Sequence, residues 1–148
     1  MNQIERMHQR LADADGLPAV LAAGWDVFEL VATIASASAD ESRDLYPAFM
    51  FARGSAVSGR DAIAFAPSTP RGSADARYDP PKLTADVYEI ADALANLASA
   101  LSTRLRESAG LAADAADRSA CENAASEAER IVRYLAKGNE LGAASGVR

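Results

Sequence analysis

Six apolar residues, Leu83, Val87, Ile90, Leu94, Leu97 and Leu101, recur at spacings of 4, 3, 4, 3 and 4 in this 148-residue chain. That alternation sets all six along one side of an α-helix, and it is the pattern by which near-parallel helices mesh in a bundle. A strand would bury every second residue instead. The seam predicts a helix over 81–108, capped by Asp79, with Pro80 and Pro81 in or beside a first turn where a missing N–H costs nothing.

A seam needs surfaces to mesh with, and two further segments supply them. Pro18 suits a first helical turn, and from there Leu17, Val20, Leu21, Gly24, Val27, Phe28, Val31, Ile34 and Ala35 share one arc of a helix over 17–38. Asp26 and Glu29 project roughly opposite that arc, and Trp25 stands on its shoulder. In the last segment Cys121, Ala125, Ala128, Val132 and Leu135 repeat the alternation over 114–137, with small residues in its first half. Gly110 suits a left-handed cap, with Leu111 folding back toward Leu105 and Asp114 capping the next helix; a helix running through Gly110 is the rival reading.

The fold class that follows is an all-α, antiparallel helical bundle with three long helices and short helical pieces near 3–14, 45–53 and 59–65. The first of these is thinly amphipathic and expected to pack weakly, 54–80 reads as a long irregular connection, and 138–148 reads as a frayed tail. The seam could instead be shared with a second copy, so a homodimer is an expectation too.

Composition restricts the partners. Net charge is −6, which opposes a general nucleic-acid or anionic-membrane surface, because both recruit clustered cations. The apolar run from Leu17 approaches membrane-spanning length but carries Asp26 and Glu29 near its middle, so it reads as a core helix. With one cysteine and no signal-like start, the expected location is the cytoplasm. Alanine accounts for 35 residues and buries little area, so packing rests on 13 Leu, 7 Val, 5 Ile and nine aromatics.

The stretch FMFARGSAVSGRDAIAFAPSTP, residues 49–70, departs from this background with three of the four phenylalanines. Gly54, four residues and GRD imitate the spacing of a phosphate loop, but Arg60 and Asp61 stand where that loop needs lysine and a hydroxyl. Two short helices, opened by Pro47 and closed at Gly54, then reopened at Ser58, fit the alanine content better than a hairpin across GSAVSG. Arg53, Arg60, Arg71, Arg77 and Lys82 make this region locally basic, with aromatic residues interleaved. Stacking on single-stranded nucleic acid is disfavoured by the flanking acids and by the lack of a nucleic-acid fold motif.

Candidate chemistry is sparse. DVFE supplies Asp26 and Glu29, and DVYEIAD supplies Asp86, Glu89 and Asp92, at one-turn spacings suited to holding magnesium between helices. These two fragments loosely resemble the all-α nucleotide pyrophosphohydrolases, which place paired acids on neighbouring helices. The resemblance implies a magnesium-dependent hydrolase; it departs from the family at Asp26, where the pattern prefers Glu. His8, the sole histidine, reads as a surface residue, and Cys121 as a small core residue.

No catalytic residue, metal or cofactor is therefore expected. The leading expectation is a non-enzymatic protein-interaction or regulatory module. Its partner contacts would be Trp25, Tyr46, Phe49, Phe51, Arg53, Arg60, Phe65, Arg71 and Tyr78, since aromatic and arginine anchors are enriched in interfaces. The hydrolase and an apolar-ligand pocket beneath the middle segment are the alternatives.

Overall fold

A computed structural model of the chain describes residues 2–70 and 86–144, with side chains as far as Ala136 in the last helix. It consists of α1 (Gln3–Asp13), α2 (Leu17–Ala39), α3 (Tyr46–Ala64), α4 (Val87–Leu111) and α5 (Ala115–Ala144). The all-α bundle is the fold observed, with four long helices in place of three and no strand among the described residues.

Local chemistry sets the helix starts. Asn2 Oδ1 accepts the N–H of Glu5 at 2.8 Å, Asp86 Oδ1 that of Tyr88 at 2.7 Å, and Asp114 Oδ1 those of Ala116 and Asp117 at 2.8 and 3.1 Å. Each satisfies N–H groups that have no partner inside their own helix. α2 begins after Gly16, whose φ of 87° is open to glycine at little cost, and both α2 and α3 carry proline in their first turn.

Contacts fix the direction of each helix. Gly24, early in α2, meets Ile63 near the end of α3 and Leu101 and Leu105 in the second half of α4. Phe51, early in α3, stacks on Tyr134 late in α5. Ser102 and Arg106 of α4 reach Glu129 of α5. Going round the bundle as α2, α3, α5 and α4, every neighbouring pair is thus antiparallel. Residues 40–45 and 112–114 make the two short turns, whereas the end of α3 and the start of α4 lie at opposite ends, the arrangement of a bundle with one long crossover. Where the chain leaves α3, Ser68 donates its N–H and Oγ–H to the buried Asp117 carboxylate, at 2.9 and 2.6 Å, tying this exit to the start of α5.

The core is the sum of the seams. Val27, Phe28 and Val31 of α2, Phe49 and Ile63 of α3, Leu94, Leu97, Leu101 and Leu105 of α4, and Cys121 and Ile131 of α5 are all fully buried. Burying one large apolar side chain contributes about 1.5–3 kcal/mol, so this cluster dominates folding. α1 adds Met7 and Leu11 to the core, and Arg10 beside them pairs with Asp26 of α2. Arg104 of α4 donates to the carbonyl of Ala14, closing the turn that follows α1.

Several expectations are corrected. Residues 46–64 form one continuous helix, not two short ones, so the irregular connection expected from 54 starts only after Ala64. Ser58, expected to reopen a helix, and Gly59 both lie inside it; Gly59 sits over the ring of Phe28, where any Cβ would overlap the ring, so it is a close-approach residue. A glycine within a helix costs about 1 kcal/mol, which the buried stripe of Phe49, Ala52, Ala56 and Ile63 offsets.

Gly110 lies within α4, without a left-handed φ, and the break comes at Ala112. The hairpin and its Asp114 cap are present, but Leu111 points outward, 88% exposed, instead of folding onto Leu105. α4 starts at Val87 because Asp86 is its cap, with extended backbone (ψ 140°). Asp79, Pro80, Pro81 and Leu83 lie outside the described residues. α5 continues to Ala144, so 138–144 are helical where a frayed tail was expected; Gly138 and Gly142 weaken a helix without blocking it as proline does.

Two tests follow. Gly54 faces open space and Gly59 faces Phe28, so Gly54→Ala is expected to raise stability by up to about 1 kcal/mol, and Gly59→Ala to lower it by about 1–3 kcal/mol, in urea melts. The Glu129 carboxyl is held below its ordinary pKa chiefly by the hydrogen bond from Arg106, with Ser102 adding to it. A depressed carboxyl contributes stability that is present above its unfolded pKa and lost as pH falls through the folded one. Glu129→Gln should therefore flatten the loss of melting temperature below about pH 4.5, while near-neutral stability drops by less than about 1 kcal/mol at this half-exposed site.

Candidate functional site

On α2 and its C-cap, residues 25, 29, 32, 36 and 40 recur every three or four positions and form one stripe on the side away from the core arc. On α3, Tyr46, Arg53, Val57 and Arg60 form the facing stripe. Because the helices are antiparallel, Trp25 and Glu29 come opposite Arg60, and Asp40 comes near the level of the first turns of α3. The Arg60 guanidinium pairs with Glu29, lies 3.7 Å from Asp61, and stands 5.5 Å from the centre of the Trp25 ring. A cation over an indole face contributes about 0.5–1 kcal/mol at such a partly exposed site.

Beyond this cluster the two stripes enclose an open groove of about 730 Å³. Its α2 wall is Ala32, Thr33, Ser36, Ala37 and Asp40, and its α3 wall is Arg53, Val57 and Arg60. Asp40 and Arg53 are both exposed, and neither enters an ion pair among the described residues. The groove is thus basic at Arg53 on one wall and acidic at Asp40 on the other, with the small or apolar Ala32, Ala37 and Val57 interleaved with the hydroxyls of Thr33 and Ser36.

The remaining contact candidates divide by location. Phe51 is 61% exposed on the α5 side of α3, with its ring 5.4 Å from that of Tyr134 at an interplanar angle of 29°. Tyr46, 47% exposed, begins the groove stripe. Phe65, 84% exposed, is the C-cap of α3 at the opposite end. Phe49 is wholly buried and so is withdrawn as a contact residue: its position on α3 points at the core once 46–64 is a single helix. Arg71 and Tyr78 lie outside the described residues.

The acids noted in the sequence do not converge. Asp26, expected on an outer face, is 6% exposed because α1 covers that side of α2 and brings Arg10 to it. Glu29 turns to Arg60, and Asp86 caps α4. Since Leu101 of α4 is level with Gly24 of α2 and the two helices are antiparallel, Asp26 is level with about residue 99, and Glu89 lies 10 residues, or about 15 Å, along the axis from it. Among the described residues no group of three or more His, Cys, Asp or Glu side chains is placed to hold a metal.

A second cavity, of about 550 Å³, lies where the α1–α2 turn meets the end of α4. Its Arg104 is already committed to Ala14 and Glu107. Comparison of the chain with protein-family models, with curated proteins and with solved structures gives no match.

Sequence reasoning named Arg53 and Arg60 but missed Asp40, Ser36 and Val57. The polar and small positions of α2 at one-turn spacing were the available signal; their meaning depended on α3 being a single helix that runs beside them.

Cys121 shows what burial does to the one thiol. Its pKa is pushed up to about 11, first by desolvation and then by the nearby Asp117 and Glu122 carboxylates. A thiol in that state reacts slowly, since the thiolate is the nucleophile. Modification by an aromatic disulfide reagent at pH 8 is expected to be at least about a hundred-fold slower in the native protein than in urea; comparable rates would contradict this burial.

Proposed function

We propose that this chain is a non-enzymatic helical protein-interaction module that engages its partner along the outer groove between α2 and α3. The observation that carries the reading is the groove itself: about 730 Å³, open to solvent, with Asp40 and Arg53 unmatched on opposite walls. Unpaired exposed charges beside Ala32, Ala37 and Val57 suit an interface, where charge sets orientation and the apolar side chains supply buried area. Trp25, held beneath Arg60 at one end, and Tyr46 near the other are the kind of anchors that carry binding energy.

We also place the module in a reducing aqueous compartment. α2 is long and apolar enough to cross a membrane, but 56% of its most apolar window is buried within the bundle, as expected of a core helix, and the lone cysteine is buried as a thiol.

A photo-crosslinking side chain at Ser36 or Val57 should yield the same adduct in native extract, and one at Glu122 on α5 should not. Equal labelling from Glu122, or none from the groove positions, would reject the proposal. Sedimentation of the purified chain across a concentration series tells whether the partner is a second copy.

A further inference from the structure

We infer that the occupant of the α2–α3 groove is an amphipathic α-helix of a protein partner, presenting a carboxylate to Arg53 and a basic side chain to Asp40. This rests on the interaction reading above and adds the chemistry of the partner.

Shape supplies the first argument. The groove runs between two antiparallel helices, and its α2 wall extends from Ala32 to Asp40, eight residues or about 12 Å, just over two helical turns. Ala32, Ser36 and Ala37 are small, so a third helix can approach closely and set its ridges into this groove. An open channel does not enclose the 70–90% of a small ligand's surface that tight binding needs, whereas a helix laid along it needs to bury only one face.

Charge supplies the second. Glu29 paired with Arg60, and Gly24 set against Ile63, give the register of α2 on α3. By that register Asp40 is level with residues 47–49, and Arg53 lies about five residues further along, about 7 Å down the axis on the opposite wall. Arg60 follows two turns later, but its charge is already met by Glu29 and Asp61. The open positions are thus one cation and one anion, offset by about one turn across the channel. A helix with acidic and basic residues on its two flanks matches both. A nucleic-acid backbone matches Arg53 but is repelled by Asp40 and by a net charge of −6.

The probes are two stapled, alanine-rich helices. One carries Glu and Lys about one turn apart on opposite flanks of its inner face, and its counterpart carries Lys at both places. Each is titrated into the full chain at low salt, with Trp25 fluorescence as the signal. The native chain should bind the Glu/Lys helix at least ten-fold more tightly than the Lys/Lys helix. Arg53→Glu, at an exposed position and checked by its melting temperature, should reverse that order, because both walls of the groove would then carry a carboxylate and select a base.

The inference is overturned if the two helices bind the native chain within two-fold of one another, or if Arg53→Glu leaves their order unchanged. Should neither helix bind while crosslinking from Ser36 and Val57 persists, the acidic–basic helix is wrong and the interaction module stands. If that crosslinking is also lacking, both readings fall.

Discussion

Phe28 packs its ring against the backbone of α3 at Gly59, and much of this molecule depends on that contact. A side chain at 59 would hold the two helices apart by the depth of a methyl group or more. With glycine there, α2 and α3 approach closely, Ile63 reaches over Gly24, and Leu101 and Leu105 of α4 close the same layer. Three helices are thereby locked in one register by side chains that interiors pack at near-crystalline density. Once α2 and α3 are at this distance, their outer stripes are fixed as well. Arg60 then comes within reach of Glu29 and over Trp25, and the channel from Ala32 to Asp40 takes its width.

Two polar devices maintain the bundle around that contact. Asp117 holds Ser68 and so anchors the exit of α3 at the foot of α5, the end from which the chain must return the length of the bundle to start α4. Arg106, Ser102 and Glu129 tie α4 to α5 along the hairpin's outer edge. The exposed pair contributes little on its own, but each device specifies which helix lies beside which. Arg10 and Asp26 act similarly for α1, whose two core side chains are a small area with which to hold a helix in place.

Much of the fold is legible in the sequence because helix period is a local property. The α4 seam and the α2 arc pick out core residues that the structure buries, and Asp114 caps the helix it is expected to cap. The misreadings share a cause. Gly54 and Gly110 read as punctuation, which is what glycine does when only the local backbone decides; packing partners distant in sequence keep both inside helices. Asp26 reads as solvent-facing for the same reason, since a helical wheel cannot include the α1 segment that covers it.

The sequence by itself determined that this chain is helical, where most of its helices run, and which stripe of α2 and α4 must be dry. Those follow from a repeat of three to four residues and from capping chemistry within a turn. The tertiary structure alone decided that Glu29 belongs with Arg60, that Phe49 is buried while Phe51 meets Tyr134, and that Asp40 and Arg53 share a groove. Those relations join residues on different helices, and the distance between the helices is set by how closely Gly59 lets Phe28 approach.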